Sequence, residues 1–144
     1  MSSTVITVND GQAQAARRPL RILIVDDNQA AALSIKEAVE DLGDTADACF
    51  DGAQAVAAVM FARPDVLLLD LSMPGVDGVD VARVLRTKPG LNGLKIIAVT
   101  AYGDVETRQR TAAAGFDLHL TKPVRFDVLE DMLDLLRRTP QAKA

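Results

Sequence analysis

The chain of 144 residues contains one cysteine, one histidine, one tyrosine and no tryptophan, and these shortages exclude whole classes of protein. With Cys49 alone, no intrachain disulfide and no cysteine-based metal site can form, which suits a reducing compartment. Long apolar runs are missing too. Residues 66–69 make a typical short run, far below the roughly 20 needed to span a bilayer, and the first twenty residues hold no stretch of signal-peptide length. Positive charge is scarce: 16 Lys and Arg face 20 Asp and Glu, a formal charge of −4, and no basic cluster exceeds a pair. Such a surface has no electrostatic footprint for a phosphate backbone or an anionic membrane. The expectation is a cytoplasmic protein with neither nucleic acid nor membrane as partner.

What is present is core material. Hydrophobic residues make up 49% of the chain, enough for one domain, since a chain of roughly 150 residues buries about 68–70% of its unfolded surface. Residues 1–19, rich in Ser, Thr, Gln and Ala and without periodicity, are expected to form a flexible arm; 20–138 form the folded domain, and 139–144 a short tail. Within the domain, apolar runs at Ile22–Val25, Ala46–Phe50, Val66–Leu69, Ile96–Val99 and Leu118–Leu120 are each followed by a segment of helical length. Five βα units result, and mostly unbroken apolar strands imply a parallel sheet covered by helices on both faces, a doubly wound α/β fold.

The helical segments differ in apolar anchoring. The first has Ala31, Ala32, Ile35, Ala38, Val39 and Leu42 on one face, with Asn28 as a candidate N-cap and Gly43 as a stop. The second carries Val56, Val59 and Met60, the third Val81, Ala82 and Leu85, the fifth Leu129, Met132, Leu133 and Leu136. The fourth, Asp104–Ala114, offers only Val105 and alanines beside Glu106, Arg108, Gln109 and Arg110. It is expected to bury the least and to move most readily.

In parallel sheets ligands bind beyond the carboxyl ends of the strands. Those ends carry Asp26-Asp27, Asp70, Thr100 and Thr121-Lys122-Pro123. Each group alone has an ordinary explanation as a helix cap, a turn residue or a solvated loop residue. Together they place three carboxylates, a hydroxyl and an amine on one rim. Carboxylates about 5 Å apart repel by on the order of 3 kcal/mol per pair at an effective dielectric of about 20, so a cation is required. Lys122 supplies one charge, and an all-oxygen set of ligands favours Mg²⁺ with retained waters over zinc.

The motifs ILIVDDN (22–28), LLLDLSMPGVDG (67–78), VTA (99–101) and TKP (121–123) together resemble the receiver domains of two-component response regulators. The resemblance spans about residues 20–138. It implies a flavodoxin-like receiver fold with strand order 2-1-3-4-5 and a phosphoacceptor at Asp70, supplied by a histidine kinase or a histidine phosphotransfer protein. It further implies Mg²⁺ held directly by Asp27, Asp70 and the Ser72 carbonyl, with Asp26 acting mainly through water. Thr100 and Lys122 would hold phosphoryl oxygens, Ala101 would leave room for the group, and Lys122–Pro123 would be cis. Thr100, His119 and Tyr102 would form the switch. His119 stands where the family usually has Tyr or Phe; its ordinary reading is a partly exposed strand residue opposite Leu118 and Leu120, and that of Tyr102 an exposed loop aromatic.

The resemblance implies no enzyme acting on an external substrate, only a domain that catalyses its own phosphorylation and dephosphorylation. Haloacid-dehalogenase-type phosphatases share the strand-end Asp and Mg²⁺ but want a second Asp where this chain has Ser72. Neither G-x-x-x-x-G-K-[ST] nor G-x-G-x-x-G occurs. Only TPQAKA follows Arg138. The expectation is a stand-alone receiver that signals by binding, the alternatives being a receiver cut from a hybrid histidine kinase or a non-phosphorylated docking module of the same fold.

Overall fold

Each apolar run becomes a strand in the computed structural model, which describes residues 18–138. The strands are β1 (Arg21–Val25), β2 (Thr45–Cys49), β3 (Val66–Asp70), β4 (Lys95–Thr100) and β5 (Leu118–Thr121). The helices are α1 (Gln29–Asp41), α2 (Ala55–Ala62, entered through a 3-10 turn at Gly52–Gln54), α3 (Gly78–Arg86), α4 (Val105–Ala114) and α5 (Phe126–Arg138). The sheet is five-stranded and wholly parallel, in the order β2-β1-β3-β4-β5. This is the doubly wound arrangement expected. The arm and the tail lie outside the described residues, except for Arg18 and Pro19.

Two cores follow from the side-chain period of two along each strand. Leu23, Val25, Leu67, Leu69, Ile96 and Ala98 face α2, α3 and α4; Ile22, Ile24, Val66, Leu68, Ile97, Val99 and Leu120 face α1 and α5. Central β3 is buried along its whole length. β2 differs from the expected unbroken run: it starts one residue earlier, ends at Cys49 rather than Phe50, and alternates exposed Thr45 and Asp47 around buried Ala46. An edge strand needs only one buried face, so Asp47 can sit in it.

The helix expectations hold in detail at α1. Asn28 caps it by accepting from the Ala31 N–H at 3.0 Å, and Ala32, Ile35 and Val39 are buried. In α4 only Thr111 and Ala114 are buried, Val105 is 70% exposed, and the N-cap Asp104 makes no side-chain capping bond. α5, by contrast, buries Leu129, Leu133 and Leu136.

At the amino ends of the strands, two ion pairs lock helix ends to the sheet. Asp44, before β2, accepts the Leu20 N–H at 2.9 Å and both arms of the Arg137 guanidinium at 2.8 and 3.1 Å. Arg137 also reaches the Arg18 carbonyl, and both members of the pair are buried. Arg86, at the end of α3, donates to the carbonyls of Leu94 and Gly115 and to Asp117, whose carboxylate also accepts the Ile96 N–H. Neither pair was legible in the sequence, because the partners are separated by 93 and 31 positions.

Candidate functional site

The register brings the strand ends together. Val25 pairs with Leu69, so Asp26, the next residue, lies alongside Asp70; Asp70 in turn pairs with Val99, one residue before Thr100, and Thr100 pairs with Thr121. Backbone bonds prolong the ladders past the strands: Asp26 N–H donates to the Cys49 carbonyl at 3.1 Å, Leu71 N–H to Val99 at 2.9 Å, and Lys122 N–H to Thr100 at 2.8 Å. The rim is therefore built on rigid backbone.

Three of the strand ends use one local device. The Asp26 carboxylate accepts the Asn28 N–H at 2.9 Å, Asp70 accepts the Ser72 N–H at 2.8 Å, and the Thr100 hydroxyl oxygen accepts the Tyr102 N–H at 3.0 Å. Each is a side chain bonding to its own backbone two residues on, which turns the chain sharply off the sheet. The ordinary turn role and the clustered site thus coexist in the same residues. Asn28 has a part not foreseen from sequence: its side chain caps α1 while its backbone N–H holds Asp26.

Asp26, Asp70 and Thr100 are all at least 97% buried, whereas Asp27 is exposed. The Asp-Asp pair, just past the end of β1, thus divides into one buried and one open carboxylate. The Lys122 ammonium, one-third exposed, reaches the second Asp70 oxygen at 3.1 Å. The expected cis peptide is present at Lys122–Pro123. One oxygen from each of Asp26, Asp27 and Asp70 lies within 4.8 Å of the others. At that spacing each ionised pair repels by roughly 3–4 kcal/mol at an effective dielectric of about 20, and one lysine cannot balance three acids. The Asp26 carboxyl is pushed up from 3.8 to about 6, chiefly by burial and further by its hydrogen bond to Asp70 and the charge there, against the lowering pull of the Asn28 amide and Lys122.

The donor set fits Mg²⁺: three hard carboxylate oxygens, two from buried residues, with one open side where retained waters can stand. Ser72 lies beside them, its side chain exposed.

His119 sits on edge strand β5, in register with Ala98 of the core that faces α4, while Leu118 and Leu120 pack in the other core. Both its ring nitrogens are shielded from solvent and lack a hydrogen-bond partner. Burial first, then the charge of Arg108, lowers its pKa, opposed by Asp104, so the ring is neutral at pH 7. Tyr102 is 68% exposed. Its residue lines, with Thr100, Leu71 and Thr111, a cavity of about 220 Å³ beside α4. A larger groove of about 510 Å³ opens beside Asp26 and Lys122, between α1 (Ala31, Ile35) and the segment that runs from Pro123 to Phe126 at the start of α5. Sequence reading missed it. The apolar residues of 123–126 gain meaning only once α1 stands opposite them.

A family model described as response regulator receiver domain matches residues 22–134. Among curated relatives, the response regulator MprA of Mycobacterium ulcerans is 38% identical over 121 residues, covering 83% of this chain and 51% of that protein. MprA of Mycobacterium avium is 37% identical over 121 residues, covering 83% of this chain and 52% of its own length. The chain therefore spans about half the length of these relatives. Among solved structures, the receiver domain of Francisella response regulator 1452 aligns with a TM-score of 0.75 at 28% identity, covering 83% of this chain and 97% of that one. A response regulator receiver domain from Bermanella marisrubri aligns with a TM-score of 0.72 at 35% identity, covering 81% and 96%. Among the described residues, no helix is long and apolar enough to cross a membrane.

Proposed function

Because this chain belongs to the response regulator receiver domain family, we propose that Asp70 accepts a phosphoryl group from the phosphohistidine of a histidine kinase or of a histidine phosphotransfer protein. One observation carries the reading: Asp70 is buried at a parallel strand end, with Lys122 Nζ 3.1 Å from one carboxylate oxygen and two further carboxylates within 4.8 Å. A carboxylate is a competent nucleophile for phosphoryl transfer. Its oxygen forms the new bond to phosphorus while the phosphorus–nitrogen bond of the donor breaks, and the imidazole leaves with the electron pair. Bound Mg²⁺, held by Asp27, Asp70 and the Ser72 carbonyl with Asp26 acting mainly through water, would neutralise charge on the transferring group.

The chain's own residues supply the rest. Lys122 is placed to follow the charge from the carboxylate to the phosphoryl oxygens. Thr100 already spends an oxygen lone pair on the Tyr102 N–H, and its hydroxyl keeps a proton to donate. Drawing that hydroxyl toward a phosphorylated Asp70 pulls on the loop that leads into α4, the helix with the least buried surface. The phosphorylated state is thereby read out as a change in the face made by α4 and β5, where His119 lies. The groove beside Asp26 and Lys122 gives the donor protein access to the rim. On this reading the protein works in the cytoplasm, turns over no external substrate, and has protein partners rather than nucleic acid or membrane.

The test is Asp70→Asn. Incubated with a small phosphodonor and Mg²⁺, the wild type takes an acid-stable, hydroxylamine-labile label and the variant takes none. Undiminished labelling of the variant would overturn the assignment.

A further inference from the structure

His119 is turned the wrong way for an amphipathic side chain. Such a residue ordinarily lays its apolar body on the protein and keeps its polar tip in water. Here the residue is half-buried, yet both ring nitrogens are shielded from solvent and lack a hydrogen-bond partner, so what it shows to water is carbon and backbone. Buried polar atoms left unpaired are rare and costly. A closed form that holds two of them on one ring is easily displaced.

The segment between β4 and α4 closes this face. Thr121, two residues on from His119, shares its side of β5, since Leu118 and Leu120 pack in the other core. Gly103 presses on it: a Cβ at position 103 would stand 3.0 Å from the Thr121 hydroxyl oxygen and 3.8 Å from Arg108 Nη2. The loop and the first turn of α4 therefore meet beside the histidine. Of the charged groups that act on the ring, Arg108 of α4 opposes a proton there and Asp104, the N-cap of α4, favours one. Asp104 spends no side-chain bond on capping, which leaves its carboxylate available to a protonated imidazole. Ala98, in register on β4, brings no charge. Toward α5, Arg125 borders a cavity of about 260 Å³ with His119 but is paired to Asp127 at 2.7 Å. The cover is also tied to the rim, because the Thr100 hydroxyl oxygen holds the N–H of Tyr102, one residue before Gly103.

We propose that His119 makes the α4–β5 face responsive to protons: neutral, the imidazole stays sealed beneath residues 103–108; protonated, it turns toward water and Asp104 and favours an opened cover, the same opening that phosphorylation drives through Thr100. A ring whose nitrogens are walled from water beside a guanidinium cannot readily accept a proton, so the proton selects the open form. Coupling of this kind is reciprocal. Acid favours the open face, and a phosphoryl group on Asp70 raises the proton affinity of His119. The first half stands by itself; the second rests on the phosphoacceptor role of Asp70. Above about pH 6.5 the ring is neutral in both forms and the device is silent, whereas below that value the open form gains.

Native-state hydrogen exchange of α4 amides at about pH 7.5 and about pH 5.5, expressed as protection so that the intrinsic rate cancels, tests the first half. Relative to His119→Phe, which keeps a ring without nitrogens, acid should raise α4 opening in the wild type several-fold, up to about tenfold at one unit below 6.5. Asp26 titrates in the same window, but acid stabilises the folded form through it, and does so in both proteins. The second half is read from the ring itself, since the chain has no other histidine and its NMR signal is unambiguous. The ring should titrate below 6.5 in the free protein and about one unit higher with Mg²⁺ and beryllofluoride as a phosphoryl mimic, a tenfold coupling. An equal acid response of α4 in wild type and His119→Phe, or a ring that titrates at one pH with and without bound mimic, would each overturn the inference. Failure of the mimic to bind would instead count against Asp70 as phosphoacceptor, and the exchange comparison then decides the proposal.

Discussion

Both ends of the sheet bury carboxylates, but only one end matches them with cations. At the amino ends, Asp44 has the bidentate Arg137 and the Leu20 amide, and Asp117 has Arg86 and the Ile96 amide. At the carboxyl ends, Asp26, Asp27 and Asp70 share one lysine. The first arrangement is balanced in charge: each carboxylate meets a guanidinium and a backbone N–H, and helix ends are tied down, with only Arg137 Nε left without a hydrogen-bond partner there. The second is electrostatically incomplete and is relieved when a cation arrives. In this fold the same backbone topology carries structural ion pairs at one end and chemistry at the other, and the count of opposing charges tells them apart.

The largest expected effect breaks the balanced end. Arg137→Met removes the guanidinium that both oxygens of buried Asp44 accept from, and removal of one partner of a buried ion pair costs about 3–5 kcal/mol. Urea denaturation at pH 7 reads this directly. A loss below about 1 kcal/mol would mean that the amino end is no better compensated than the rim.

Next in size is the opposite change at the rim. The Asp26 carboxyl titrates at about 6 in the folded protein against 3.8. An acid whose folded value is raised holds its proton more tightly in the native state, so its contribution to stability is complete below about 3.8 and is lost as pH rises through about 6. The shift corresponds to at most on the order of 3 kcal/mol. Asp26→Asn should therefore gain up to that amount at pH 8 in chelator, and should flatten the fall in stability between about pH 4 and 6. Denaturation curves across that range, with and without the substitution, give the answer.

A smaller effect comes from completing the rim with its cation. Mg²⁺ at ten times its dissociation constant should stabilise the wild type by about 1.4 kcal/mol, seen as a rise in melting temperature of a few degrees. Asp27→Ala should remove most of this rise. Asp26→Asn should lose its advantage over wild type under the same conditions.

The smallest effect marks where the rim is loosest. Val105→Ala on α4 should cost less than about 0.5 kcal/mol, because the side chain is mostly exposed, while Leu133→Ala on α5 should cost about 2–5 kcal/mol. Native-state hydrogen exchange should show α4 amides opening well before those of α5.

Much of this was legible because it is local. Strands β1, β3 and β4 announce themselves as apolar runs, Asn28 as a cap, and α4 as a poorly anchored helix, since each depends on residues within one turn or one strand. The polar groups at the strand ends were visible for the same reason: a parallel sheet gathers whatever follows its strands. The resemblance of four ordered motifs added the strand order. β2 was blurred because edge position, which permits Asp47, is a property of the sheet and not of the segment.

The amino-acid sequence by itself determined which residues would stand at the rim and which helix would hold on least firmly. Tertiary structure alone decided that Asp26 is buried while Asp27 is open, that Asp44 and Asp117 find arginines far along the chain, that α1 and the segment leading into α5 enclose a groove, and that Phe61 faces outward. The physical reason is range. Turn, cap and periodicity preferences act within a few residues, whereas burial and charge compensation depend on which distant segments the sheet order brings alongside.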